Sequence, residues 1–186
     1  MFGRNGRFIN QLRLHGFPPN VIGCLHFPNN LRVRGCQVFV PLLRKQKSGH
    51  IVNTASMAGL VHPPMMAAYN ATKAAVVALS ETLHFELAPD NIRVSVLCPS
   101  FFKTNLTETM RAPPDSLQVT KRFVDRSRVS AEEIARIAYK GIQQGEFHIL
   151  THAAGRKAWA LKRLAPFGVY SRVMRKETRR MMSKRK

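Results

Sequence analysis

The sequence predicts an α/β fold with a parallel sheet, flanking helices and a basic helical C-terminal tail. Three observations carry that prediction. Short β-like runs at 51–55, 92–97 and 147–150 alternate with long stretches of helical periodicity. The run 92–97 alternates and then turns wholly apolar, as a strand covered on both faces does. A helical stretch between successive strands is the crossover that parallel pairing requires.

Taken in order, residues 33–47 read as the first helix. Val38, Leu42 and Leu43 are its apolar positions, and Arg44, Lys45 and Lys47 occupy the last turn, where cations suit the helix dipole. Pro41 is an irregularity inside it. Ser48 and Gly49 are expected to end it, and the strand 51–55 follows. The loop 57–65 contains Gly59 and the pair Pro63-Pro64. Residues 66–87 read as a long helix in which Ala71, Ala74, Ala75 and Ala78 allow another element to approach closely. Pro89-Asp90-Asn91 stops it. Residues 99–128 are long and mixed, suited to a mobile flap over a site. Ser130-Ala131-Glu132-Glu133 has the form of a capping box opening a helix to Gln144, with Gly145 as its end. The tail, 153–186, spreads Trp159, Leu161, Leu164, Phe167, Tyr170, Val173 and Met174 along a helical stretch with irregular amphipathy.

Charge divides the chain differently. Thirty Lys and Arg oppose ten Asp and Glu, a formal +20, and no acidic residue precedes Glu81. Residues 81–150 are close to balance, so the excess belongs to the two ends. Such ends favour polyanionic partners: nucleic acid, anionic lipid or nucleotide phosphates. The tail has no base-stacking or groove-binding motif that would name a nucleic-acid fold, and a solvated helical face accounts for its charge as well. Cys24, Cys36 and Cys98 have no metal-like spacing and fit free thiols in a reducing, cytoplasmic setting. No secretory signal pattern opens the chain, and no apolar run approaches the length of a membrane span.

Residues 1–32 form an irregular basic segment, broken by Pro18-Pro19 and Pro28. Gly3 and Gly6 are its nearest approach to a phosphate loop, but they follow no strand and precede no helical pattern. The organisation expected is therefore 1–32 irregular, 33–152 an α/β domain, and 153–186 a basic tail.

The chemistry-bearing group is Ser56, Tyr69 and Lys73. Ser56 closes the first strand, and Tyr69 and Lys73 stand four apart on one helix face. A strand-end hydroxyl facing a helix-borne phenol and ammonium is a proton-transfer arrangement. His62 and His84 imply no partner and are read as ordinary surface or core residues.

The run 49–59 with Asn53 and Ser56, the Tyr69-x-x-x-Lys73 pair, and 92–99 ending in Pro99 with Thr104 beyond together resemble the short-chain dehydrogenase/reductase family. The resemblance covers 33–150 and implies an incomplete Rossmann-like fold, with NAD or NADP as cofactor and hydride transfer to a carbonyl or from an alcohol. It implies Tyr69 as general acid or base. A phenol ionises near pH 10, and the Lys73 ammonium beside it favours the phenolate. Lys73 would also bond the nicotinamide ribose, and Ser56 would polarise and hold the substrate oxygen. Pro99, Phe102 and Thr104 would contact the cofactor, although Ser100 replaces the glycine usual after the proline. Phe101, Phe102 and Met110 stand where either a substrate pocket or packing of the flap explains them.

The departures carry their own expectations. The glycine-rich turn that holds pyrophosphate in relatives is absent, and so are four of their strands. The relay Asn expected upstream would fall near Pro28, beside Asn29 and Asn30. A sheet keeping only three strands would leave a hydrophobic edge unpaired. One reading is a truncated chain whose residues 1–32 lie outside the ancestral reading frame; a glycine-rich motif in another frame of the encoding DNA tests it. The rival to an oxidoreductase is an inactive remnant that associates through helices 33–47 and 66–87 or binds anionic surfaces.

Overall fold

The computed structural model describes residues 30–110 and 114–183. The expectations for Gly3, Gly6, Cys24, Pro28 and Asn29 lie outside the described residues, as does the side chain of Asn30. Three strands, β1 (Gly49–Thr54), β2 (Ile92–Cys98) and β3 (His148–Leu150), form one sheet in the order β1-β2-β3. Both pairings are parallel, with Gly49 opposite Ile92 and Val96 opposite His148. The α/β class with a parallel sheet anticipated from the alternation, Rossmann-like as the resemblance implied, is the architecture observed.

Helices connect the strands and cover them. The first, α1 (Asn30–Gln46), begins three residues before the reading from periodicity and runs straight through Pro41. A proline inside a helix costs about 3 kcal/mol; burial of Cys36 and Val40 against the sheet opposes that cost. Lys47, not Ser48 or Gly49, ends the helix in a left-handed conformation (φ 54°), and Asn91 Nδ2 donates to its carbonyl at 3.2 Å. The same corner is stapled by Asp90, which meets Arg44 Nε at 2.7 Å and Lys47 Nζ at 3.4 Å.

A four-residue helix, α2 (Ala58–Val61), follows β1, and α3 (Ala67–Leu87) lies along the sheet. Two apolar clusters form beneath α3. Val76 and Val77 join Ala55, Met57, Leu60, Val96 and Cys98; Leu83 and Leu87 join Cys36, Val40, Ile92 and Val94. Between them the buried Asn53 Nδ2 donates to Ser80 Oγ at 3.0 Å, and the Ser80 hydroxyl in turn donates to the Val76 carbonyl at 2.8 Å.

The segment read as a flap is partly helical: α4 (Leu106–Thr109) and α5 (Pro114–Arg126) occupy it. Next comes α6 (Ala131–Gln144), capped by Ser130 Oγ, which accepts from the Glu133 amide. Gly141 lets α6 close onto β3, since a Cβ there would stand 2.9 Å from the Ile149 side chain. The tail is two helices, α7 (Ala153–Leu164) and α8 (Phe167–Ser183). They part at Pro166, which has no amide hydrogen to continue the first.

On its other side β1 has no strand partner among the described residues. Ala55 N–H reaches Leu97 O, so by alternation His50, Val52 and Thr54 aim their backbone groups at the free edge. Arg32 Nε takes the Thr54 carbonyl at 3.0 Å. Arg32, Phe39, Leu43 and Val52 help to line a groove of about 340 Å³ along this edge. Among the described residues no helix is long and apolar enough to cross a membrane.

Candidate active site

At the C-terminal ends of β1 and β2 the sheet hydrogen bonding continues past the strands. Met57 N–H donates to Pro99 O at 2.9 Å, and Ser56 Oγ donates to the same carbonyl at 3.3 Å while accepting from Ala58 N–H at 3.2 Å. Ser56 is thus a half-buried hydroxyl, ordered by backbone from both strand ends.

Tyr69 and Lys73 occupy the first two turns of α3, with Lys73 Nζ 5.6 Å from the centre of the Tyr69 ring. The phenol is 47% exposed and so open to a ligand, while Lys73 is half-buried. Desolvation pulls the Lys73 ammonium below its ordinary range, and the nearby Arg32 charge adds to this, with Cys98 opposing. Cys98 lies under the same corner. Burial pushes its thiol up to about 12, against a hydrogen bond from the Ser56 backbone and the Lys73 charge.

The serine loop and the helix are pressed together at Gly59. A Cβ on Gly59 would stand 2.6 Å from both the carbonyl carbon and the carbonyl oxygen of Lys73. Backbone cannot yield as a flexible side chain does, so only glycine permits this approach. Beside Tyr69, Asn70 is buried and donates to Pro63 O at 2.7 Å, which closes the loop 57–65 onto the start of α3.

The residues anticipated for the cofactor do not all gather in one place. Pro99 meets Ser56 directly, and Phe102, three residues further on, is half-buried. Thr104 lines a separate open cavity of about 410 Å³ with Lys103, Asn105, Val124 and Asp125. Phe101 stacks on Phe123 of α5, with ring centres 5.0 Å apart, so this aromatic serves packing of the flap. His62 bonds the Gly59 carbonyl and His84 sits in an aromatic cluster with Phe85 and Phe147.

One residue at this corner escaped the sequence reading. His152, just beyond β3, accepts at Nδ1 from Ser100 N–H and meets Thr151 Oγ1 at 2.7 Å. Its Nε2 then carries the proton and donates to Phe101 O at 3.1 Å. Desolvation holds this imidazole below its ordinary pKa, against the Phe101 hydrogen bond and Glu133. It pins the turn after Pro99 to the end of the third strand. The available signal was positional: His152 follows the strand 147–150 at the sheet end where Ser56 and Pro99 also lie.

A parallel sheet covered by helices, with its polar groups collected at the C-terminal strand ends, is the Rossmann-like class. Within it, the profile described as short chain dehydrogenase matches residues 30–115. A 3-oxoacyl-[acyl-carrier-protein] reductase of a Synechocystis species is 41% identical over 73 residues, which is 39% of this chain and 30% of that protein. A short-chain dehydrogenase/reductase of Burkholderia phymatum, solved in complex with NAD, superposes with a TM-score of 0.64 at 34% identity, covering 71% of this chain and 53% of that one. One from Burkholderia cenocepacia, in complex with NADP, reaches 0.59 at 20% identity over 79% of this chain and 60% of that one, a likeness of fold alone. Over residues 30–115 the chain therefore matches the short-chain dehydrogenase/reductase family. It spans between 30% and 42% of the first curated relatives it matches.

Proposed function

We propose that the protein is an NAD- or NADP-dependent oxidoreductase that transfers hydride between nicotinamide and a small carbonyl or alcohol substrate. The observation that carries the reading is the junction at Gly59, which presses the Ser56 loop onto the turn bearing Lys73, with Lys73 beside the Tyr69 ring. Tyr69 gives its proton to the substrate oxygen in reduction and takes it back in oxidation. The Lys73 ammonium stabilises negative charge on the phenol oxygen, and the Ser56 hydroxyl orients the substrate oxygen.

The donors here suit the nicotinamide-ribose end of a dinucleotide. Lys73 and Arg32 are two cations close enough for one to depress the other's pKa, and a half-buried ammonium gains by meeting ribose hydroxyls. When bound, the cofactor supplies or accepts the hydride. Lys73 and Tyr69 are the residues proposed to hold its ribose, and Pro99, Phe102 and Thr104 its nicotinamide side. The test is titration of the chain with NADH and NADPH followed by fluorescence, then turnover of a panel of ketones. Saturable binding and Tyr69-dependent turnover support the reading; no binding of either cofactor overturns it.

Other parts of the proposal rest on the surface. Phe39 and Val38 on α1 and Phe85 on α3 are more than half exposed, which favours a second copy docking on these helices. Light scattering reads that stoichiometry, and a monomer at all concentrations rejects it. Leu164 and Phe167, 83% and 80% exposed at the α7–α8 elbow, adjoin a helix bearing Arg172, Arg175, Lys176 and Arg179. Apolar anchors beside cations fit an anionic lipid surface. Co-sedimentation with phosphatidylserine vesicles but not neutral ones is expected; binding to neither removes this partner. The buried free thiols Cys36 and Cys98 accord with a cytoplasmic setting. A body over 33–152 and a tail from 153 are the proposed segments, and limited proteolysis at that boundary tests them.

A further inference from the structure

We propose that Lys162 and Tyr170 are positioning residues for Ser56: the tail caps the short helix α2 and thereby holds the serine loop against the Tyr69–Lys73 helix. The proposal rests on the reading of Ser56, Tyr69 and Lys73 as the reactive group. A helix of four residues has no interior, so every carbonyl in it needs an outside partner or a turn bond. All four have one. Ala58 O accepts from His62 N–H at 3.2 Å, and Gly59 O meets His62 Nε2 at 3.1 Å. Leu60 O accepts from Lys162 Nζ at 2.6 Å, and Val61 O accepts from the Tyr170 hydroxyl. Two of the four donors therefore come from about a hundred residues further along the chain.

Lys162 also sets the partner of the second carbonyl. Its ammonium lies 2.8 Å from His62 Nδ1. An ammonium only donates, so Nδ1 is the acceptor and Nε2 carries the hydrogen that Gly59 O receives. A cation at a helix C-terminus is favourable in its own right. Neither tail helix is loosely attached. Trp159 of α7 packs on the core cluster that contains Met57 and Leu60, Gly155 comes up against Met57, and Tyr170 of α8 is 7% exposed. Burial lowers the Lys162 ammonium and raises the Tyr170 phenol, as expected of polar groups drawn into packing to reach backbone carbonyls.

From α2 the restraint has two exits. At the N-terminal side, Ala58 N–H donates to Ser56 Oγ, so rotation of α2 moves the donor that orients the serine hydroxyl. In the middle, Gly59 abuts the Lys73 carbonyl, so displacement of α2 is displacement against the lysine turn.

The test uses Lys162→Met, Tyr170→Phe and the conservative Lys162→Arg in the full chain. Hydrogen exchange is followed by peptide over 57–62, 69–73 and 92–98, beside kcat and KM for the nicotinamide cofactor and a ketone substrate. Removing either donor is expected to speed exchange at 57–62 by about tenfold and leave 92–98 unchanged. In the same variants kcat falls by a similar factor with KM for cofactor unaltered, and Lys162→Arg restores both. Unchanged exchange at 57–62 in folded variants overturns the proposal. So does faster exchange throughout the chain, which would make these residues merely structural, or normal kcat despite a loosened loop. A wild-type chain that binds no cofactor and turns nothing over overturns the oxidoreductase reading instead, and the exchange measurement still decides whether the tail caps α2.

Discussion

Tyr69, Lys73 and Gly59 concentrate the residue-scale physics of this protein. Tyr69 stands half in solvent on the first turn of α3, so its hydroxyl can be removed without disturbing the core. Tyr69→Phe is expected to lower turnover by at least about a hundredfold with an unchanged circular dichroism spectrum. Gly59 is the opposite case. Adding a methyl there drives it into the backbone of Lys73, and Gly59→Ala should destabilise by about 1–3 kcal/mol in urea titration. Loss of stability well below that range would mean that the two backbones can part cheaply. The spacing of Ser56, Tyr69 and Lys73 was legible in the sequence because it is local to one strand end and one helix. The need for Gly59 was not, because a contact between a loop and a helix backbone leaves no periodic trace.

At the scale of elements, helix ends are where the reading of the sequence and the structure diverge. The capping box at Ser130 is a local pattern and reappears as the hydrogen bond from Glu133 N–H. The end of α1 is decided by remote groups: Lys47 adopts its left-handed turn where Asn91 and Asp90, more than forty residues away, supply the partners. The hydrogen bond from Arg44 holds the Asp90 carboxyl below its usual range, and Lys47 adds to this. A carboxyl depressed on folding contributes stability at neutral pH, and this is lost as pH falls from about 4 through its folded value. Asp90→Asn should therefore lower the melting temperature at pH 7, and the gap from wild type should close on acidification below pH 4. An equal gap at pH 3 and pH 7 would show that the ion pair is not its source. The helix α5 inside the expected flap was hidden for a related reason, since Phe123 stacks on Phe101 of the same segment and only tertiary packing buries Val124 beside it.

Over the whole molecule, burial separates protected groups from exposed ones. Cys98 is fully buried and its thiol is raised to about 12, and burial raises Cys36 as well. Thiolate is the reactive form, so iodoacetamide at pH 8 should modify neither residue in the native protein and both in urea, read by peptide mass mapping. Native labelling of Cys98 would contradict its place beneath Ser56. The free edge of β1 is the exposed counterpart. His50, Val52 and Thr54 aim backbone groups that have no strand partner among the described residues along a groove lined by Phe39 and Leu43, the geometry that recruits another strand, and Arg32 holds only the Thr54 carbonyl at its end. Placing a charge there with Val52→Lys should reduce concentration-dependent association in sedimentation velocity; an unchanged profile moves the association to another surface.

The sequence by itself determined the α/β alternation, the parallel sheet and the Ser56, Tyr69 and Lys73 spacing. Each is written in short-range periodicity or in fixed offsets along one strand or one helix. Only the tertiary structure decided which groups hold that corner together. His152 fastens the turn after Pro99, Gly59 admits the lysine turn, and Lys162 and Tyr170 reach back to the carbonyls of α2. The physical reason is that these bonds end on backbone atoms, which every residue possesses. No side-chain pattern at the acceptor announces the donor that folding brings from a hundred residues away.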